Sequence, residues 1–297
     1  MPIILSLLIA LQSTTPATIT GHASAIIGSK VFVTGGMSIN NEGHFYKEAW
    51  LVEPETGMWE ALPPMKIARG MAAAALLDNA VYVAGGFTWG GDAQTTVDRF
   101  DLKTRAWSEV APLNIPRSRL GLTALDGKLY AISGMNSVPN GRKSLNTPTI
   151  EEYDPARNRW QVVGSLNHAR HGFESIVWHG RIYMFGGNDD ETRKSAEVWD
   201  PKTGKSSDLP NLPCERGFAG IVQVGEKFVL FGGRTDGGTL SLFDPATSRW
   251  LACTTPDIQR TRFAATMIGS RLWLIGGEGR GKIPIIQSFD LSQISKN

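Results

Sequence analysis

Val31-Phe32-Val33-Thr34-Gly35-Gly36, Val81-Tyr82-Val83-Ala84-Gly85-Gly86 and Ile182-Tyr183-Met184-Phe185-Gly186-Gly187 are one pattern written three times: a β-branched and aromatic run closed by two glycines. Phe228-Val229-Leu230 before Gly232-Gly233 and Leu272-Trp273-Leu274 before Gly276-Gly277 repeat it, and Leu129-Tyr130-Ala131 before Ser133-Gly134 is a close variant. The second glycines stand 50, 48, 53, 46 and 44 residues apart. A fixed interval of this size marks one supersecondary unit copied along the chain. The apolar runs have the length and composition of buried strands. Paired glycines behind a strand permit a bend or a close backbone approach that a Cβ would block.

Downstream of each doublet the sequence gives a second strand and a tight turn. The turns are Glu53-Pro54-Glu55-Thr56-Gly57, Asp101-Leu102-Lys103-Thr104-Arg105, Asp154-Pro155-Ala156-Arg157-Asn158, Asp200-Pro201-Lys202-Thr203-Gly204 and Asp244-Pro245-Ala246-Thr247-Ser248. Aspartate accepts from the amides that follow it, and proline pre-sets φ. A tryptophan follows at one spacing in Trp59, Trp107, Trp160 and Trp250, with Ser206 in that slot of the fourth repeat. A large aromatic at a fixed place in each unit suits packing between units. No segment reads as a helix.

Strand, Gly-Gly, variable loop, Asp-Pro turn and tryptophan together resemble the Kelch repeat, over nearly the whole chain. The resemblance implies an all-β fold: a six-bladed β-propeller of four-stranded antiparallel blades, with residues 19–297 as a single propeller. The sixth repeat ends soon after Phe289-Asp290-Leu291 without an outer strand. Residues 1–18 have two readings. The apolar Ile3–Leu11 followed by Gln12-Ser13-Thr14-Thr15-Pro16 resembles a secretory signal peptide, although no basic residue precedes it. Leu8-Ile9-Ala10-Leu11 also sits where a ring-closing outer strand belongs. The first reading implies a periplasmic or secreted protein, the second a cytoplasmic one. Either way the apolar run is too short for a membrane-spanning helix.

Bulk composition excludes more than it assigns. The 297 residues are 41% hydrophobic and 20% charged, with a net charge of +2, which argues against nucleic acid or an anionic membrane as partner. The two cysteines, Cys214 and Cys253, have no metal or redox spacing; a disulfide between them is open to geometry. The five histidines, His22, His44, His168, His171 and His179, have no metal spacing either. Gly276–Lys282 approaches a phosphate-binding loop, but Ile283 replaces the required Ser or Thr and no helix follows. No cofactor or metal is expected, and a monomer is.

Candidate site residues come from aligning the segment that leads into each innermost strand. One slot holds Arg69, Arg117, Arg170, Arg216 and Arg260, with Ile19 in the first repeat. Two residues on stand Arg119 and Arg262. Two further on the slot is Ala23, Ala73, Gly121, Gly220 and Ala264, but Glu174 in the fourth repeat. Strand parity puts these positions on the face of the long loops 37–48, 87–96, 135–149, 188–195, 234–239 and 278–285, where sites usually lie. His168, His171, Tyr46 and Trp89 belong to the same face. In Kelch adaptors arginines of this rim grip acidic peptides, so the resemblance implies a non-catalytic binding propeller for an acidic peptide or anionic ligand. The repeated arginines also have a second reading, as ties between neighbouring blades. The alternative function is that of a secreted Kelch-type mutarotase or epimerase for an acidic sugar such as sialic acid. Arg119 and Arg262 would hold its carboxylate, and Glu174 would move the proton.

Overall fold

The computed structural model describes residues 16, 18–39, 43–136, 144–188, 194–234, 240–252, 258–280 and 283–292. Among the described residues six antiparallel blade sheets stand around a central channel, with two further two-residue strand pairs, Met135–Asn136 with Leu145–Asn146 and Arg260–Thr261 with Glu278–Gly279, and there is no helix. Blade one is Ala23–Ile27, Lys30–Thr34, Ala49–Glu53 and Met58–Leu62; blade two is Ala73–Leu77, Ala80–Ala84, Val97–Asp101 and Ala106–Val110. Blade three is Gly121–Leu125, Lys128–Ile132, Thr149–Asp154 and Arg159–Ser165; blade four is Glu174–Trp178, Arg181–Phe185, Ala196–Asp200 and Lys205–Leu209. Blade five is Gly220–Val224, Lys227–Phe231, Ser241–Asp244 and Arg249–Ala252. Blade six has three strands among the described residues, Ala264–Ile268, Arg271–Ile275 and Ile286–Asp290. Ile3–Leu11, on which the leader and closing-strand readings rest, lie outside the described residues, as does Cys253.

The second strand of each blade is buried on both faces because a neighbouring blade covers each side. Val31, Phe32 and Val33 are fully buried, as are Phe228, Val229 and Leu230. This accounts for their unbroken apolar runs, where a half-exposed strand would alternate.

The doublets have a specific cause. The N–H of each second glycine donates to the carbonyl of the residue in the repeated arginine slot of the next blade: Gly36 to Arg69, Gly86 to Arg117, Gly134 to Arg170, Gly187 to Arg216, Gly233 to Arg260 and Gly277 to Ile19, at 2.7–3.0 Å. That carbonyl lies so close that a Cβ on the first glycine would meet it at 2.5 Å for Gly35, 2.3 Å for Gly85 and 2.2 Å for Gly186. Ser133 replaces that glycine in blade three, where its hydroxyl lies 2.8 Å from the Arg170 carbonyl and 2.7 Å from that of Thr147.

The tryptophans tie blades from outside. Trp107, Trp160 and Trp250 donate through Nε1 to the carbonyls of Pro63, Ala111 and Pro210 in the preceding blade, at 2.7, 2.9 and 2.8 Å. Blade four keeps the bulk but moves it across the strand pair. Trp199 faces Ser206 in register, where the other blades place Phe100 opposite Trp107, Tyr153 opposite Trp160 and Phe243 opposite Trp250.

Around the channel mouth the backbone closes on itself. Met71 N–H donates to Gly21 O, Arg119 to Met71, Gly172 to Arg119, Phe218 to Gly172, Arg262 to Phe218, and Gly21 to Arg262, at 2.7–3.2 Å. All six residues have positive φ, between 54° and 60°. Blade six is thus joined to blade one by the same contact that joins every other pair.

Candidate functional site

The closed hydrogen-bond ring sets the geometry of the mouth, since all six members line the channel there. In chain order the ring reads Gly21, Met71, Arg119, then Gly172, Phe218, Arg262: a triplet of glycine, apolar residue and arginine, given once by blades one to three and once by blades four to six. The glycines have a packing reason. A Cβ on Gly21 would strike the Met71 methyl at 2.8 Å, and one on Gly172 would strike Phe218 Cε1 at 2.4 Å. Met71 and Phe218 therefore lie flat over the preceding blade. Arg262 stacks 4.8 Å over the Phe218 ring, and Arg119 lies 5.6 Å over Phe87.

Below the mouth the channel encloses about 570 Å³. Its wall is mostly small, with Ala23, Ala73, Gly121, Gly220 and Ala264 at one level and Glu174 completing that level. Glu174 is half-buried, and desolvation pushes its carboxyl from 4.5 up to about 8. His22 also lines the channel; burial pushes its imidazole from 6.5 down to about 4, and both ring nitrogens lack a partner among the described residues.

The five arginines of the repeated slot do not face this channel. Arg69, Arg117, Arg170, Arg216 and Arg260 are 0–2% exposed. Their guanidinium groups run into the neighbouring strands. Arg69 pairs with Asp98 at 2.9 Å and Arg117 with Glu151 at 2.5 Å, while Arg170 pairs with the fully buried Glu197. Arg216 donates to Gly232 O and Ser241 Oγ; Arg260 donates to Gly276 O, Pro284 O and Gln287 Oε1. Each guanidinium thus fastens the strands and loop of its own blade, while the tie to the preceding blade is made by the slot's backbone carbonyl, which Ile19 supplies as well; the buried side chains leave no face for a ligand. Arg119, Arg262 and Glu174 do line the channel.

A further arginine, Arg234, lies outside that lining but close enough for its charge to act on Arg119. It is exposed and lies 5.7 Å over the Phe218 ring. Burial first, then the like charges of Arg262 and Arg234, holds Arg119 down to about 10. Arg262 is lowered by burial against the opposing pull of Glu278, to which it donates at 2.8 Å. Arg119 has no carboxylate partner among the described residues: its Nη1 meets Met135 Sδ at 3.3 Å, and its Nε is buried without a partner. Sequence reading passed over Arg234 because it counted the residue with its loop. The usable signal was register: Arg234 directly follows its glycine doublet, as Met37, Phe87, Met135, Asn188 and Glu278 follow theirs.

The loop residues divide. Trp89 is 73% exposed. Tyr46 is held inward, its hydroxyl donating to Thr18 O at 3.2 Å and its ring packing on Trp50. His171 is buried with Nδ1 2.9 Å from Asn146 Oδ1, and His168 faces Asp208 on the outer strand of blade four. Cys214 is half-buried, 3.7 Å from Ser241 Oγ.

Comparison with known proteins agrees with this architecture. A family model of the Kelch motif matches residues 68–114, 116–167 and 169–213, which cover blades two to four. The chain is 27% identical over 256 residues to the Kelch-like protein terF of Aspergillus terreus, covering 78% of this chain and 56% of that protein. It is 27% identical over 243 residues to Kelch-like protein 25 of Xenopus tropicalis, covering 78% and 40%, and 26% identical over 271 residues to beta-scruin of Limulus polyphemus, covering 83% and 29%. The chain thus spans about half, or less, of the length of these relatives. With six blades that share the doublet or its Ser133-Gly134 variant, five of them followed by the turn and four by the tryptophan, the chain belongs to the Kelch-repeat β-propeller family.

Proposed function

We propose that this propeller is a non-catalytic binding module that takes a carboxylate-bearing peptide of a protein partner at the mouth of its central channel. The observation that carries the reading is Arg119: a cation at the mouth, repelled by Arg262 and Arg234, and without a carboxylate partner among the described residues. A carboxylate bound there offsets the repulsion, and arginine's planar fork receives it in a two-point geometry. The relatives support the same direction only through their membership of the Kelch-like group.

Glu174 favours a second reading, catalysis on an acidic sugar. A carboxyl pushed up to about 8 carries its proton at neutral pH and exchanges it readily, as acid–base work at an anomeric centre requires. In this reading Arg119 and Arg262 hold the sugar carboxylate.

A thermal-shift series on the purified chain separates them, using acidic peptides, acidic sugars of the sialic type, and their neutral amide analogues. A ligand at about 100 times its dissociation constant adds roughly 2.7 kcal/mol. Stabilisation by acidic peptides, lost in Arg119→Ala, supports the binding module. Stabilisation by the acidic sugar with anomer exchange that fails in Glu174→Gln supports the second reading. No shift with any anion overturns both.

A further inference from the structure

The pseudo-twofold character of the mouth stops one layer above it. The residues that follow the six glycine doublets form an outer rim, and they are sorted by half: Met37, Phe87 and Met135 on blades one to three, Asn188, Arg234 and Glu278 on blades four to six. The apolar half continues outward. Phe45 packs on Phe87 at 5.5 Å and on Trp89 at 6.3 Å, in edge-to-face contacts. The Trp89 ring lies on the blade-one loop, against the site where a Gly43 Cβ would stand, yet it is 73% exposed. Ile39 at 40% and Leu145 at 60% expose further apolar surface on the loops of blades one and three. Scattered exposed apolar residues need no explanation, but a contiguous aromatic patch beside a binding mouth does.

Charge and apolar surface meet at Arg119, whose guanidinium sits 5.6 Å over Phe87 while its charge faces Arg234 and Arg262. We infer that the mouth reads a two-part epitope: a peptide segment whose carboxylate lies on Arg119 and Arg234, with a large apolar side chain a few residues away seated on Phe45, Phe87 and Trp89. The inference rests on the binding-module reading and adds to it the partner's second determinant and its direction across the face. From Arg119 through Phe87 and Phe45 to Trp89 the successive separations are 5.6, 5.5 and 6.3 Å. An extended chain advances about 3.3–3.6 Å per residue, so a segment of roughly five residues spans both determinants. An aromatic anchor next to a desolvated charge pair is also where binding energy concentrates.

The test is a selection from a displayed random-heptapeptide library on the full chain, on Trp89→Ala, and on Arg119→Ala combined with Arg234→Ala, each variant first shown to melt as the wild type does. Wild type is expected to enrich peptides carrying Asp or Glu within about five residues of Trp, Phe, Leu or Met. Trp89→Ala is expected to keep the acidic preference, lose the apolar one, and bind a wild-type-selected peptide about tenfold more weakly. The double arginine variant is expected to lose the acidic preference. An acidic preference with no apolar partner in the wild type overturns the two-part epitope and leaves the arginine reading standing. No acidic preference at all overturns both. Concentration-dependent self-association abolished by Trp89→Ala would also overturn it, by assigning the patch to a second copy of this chain.

Discussion

Arg262 and Arg119 hold the same position in blades six and three and reach the same neighbour, the residue that follows the glycine doublet sixteen positions on; Arg262 finds the Glu278 carboxylate there at 2.8 Å, and Arg119 finds only the Met135 sulfur at 3.3 Å. One substitution in a repeated contact leaves one of two equivalent cations paired with a carboxylate and the other without a counter-ion among the described residues. The functional reading follows from that difference, because a cation with a built-in carboxylate has less to gain from an incoming one. A like charge nearby adds to the difference, since Arg119 feels both Arg262 and Arg234.

The doublet geometry predicts opposite tolerances at equivalent places. Gly186→Ala puts a methyl 2.2 Å from the Arg216 carbonyl at a residue with φ of 71°. Both the clash and the left-handed backbone count against it, so a loss of about 3 kcal/mol or more is expected. Ser133→Gly at the matching position of blade three is expected to cost about 1 kcal/mol, the hydroxyl's hydrogen bonds being the loss. Paired urea melts check the ranking, and equal costs would show that the close approach is not what selects glycine.

Arg170 and Arg216 share a slot but not a partner. Arg170→Ala strands the fully buried Glu197, which otherwise accepts from Arg170, from the N–H of Asn167 at 2.8 Å and from Ser206 Oγ at 2.7 Å. Removing one member of such a pair costs about 3–5 kcal/mol. At the position where Arg170 meets a carboxylate Arg216 meets the neutral Ser241 Oγ, so the loss of that contact in Arg216→Ala is expected to cost less. Melting temperatures of the two variants at one pH give the comparison directly.

Glu174 and His22 make the fold sensitive to pH from opposite sides. An acid raised from 4.5 to about 8 penalises the fold once the unfolded chain ionises; the penalty is absent below 4.5, grows up to about 8 and is constant above. A base lowered from 6.5 to about 4 penalises it as pH falls through 6.5, fully by 4. Glu174→Gln is therefore expected to stabilise at pH 9 and to have little effect at pH 4, with at most about 1.4 kcal/mol gained per pH unit between. His22→Leu, carrying the residue that blade three has there as Leu120, is expected to flatten the acid limb. Thermal melts from pH 4 to 9 would contradict this if neither variant changed the slope.

The fold was legible because the same physical demand recurs in every blade. Val31–Val33 and its counterparts are buried on both faces, with only Trp273 of blade six half-buried, and each doublet accommodates a neighbour's carbonyl, so periodicity reports them. Periodicity misleads about the site for the same reason. Five arginines in one slot do one job, and that job is to fasten the strands and loop of their own blade. The residues at the mouth are those that break the pattern: Arg119 and Arg262 among Gly21, Met71, Gly172 and Phe218, and Glu174 among alanines and glycines. Ser206 shows the limit of single-slot reading, since the missing tryptophan reappears as Trp199 on the facing strand and only pairing register reveals the exchange.

The measurement that bears most directly on the central claim is the affinity of the full chain for an acidic peptide selected on it, compared across Met135→Glu, Met135→Gln and Glu278→Gln. Met135→Glu gives Arg119 the partner that Glu278 gives Arg262, and Glu278→Gln releases Arg262. Binding is expected to weaken about tenfold in Met135→Glu, to stay near wild type in Met135→Gln, and to tighten by up to about fivefold in Glu278→Gln, the scale of one partly exposed ion pair. Unchanged affinity in Met135→Glu, with the variant folded, would contradict the assignment of Arg119 as the carboxylate-binding cation of this propeller.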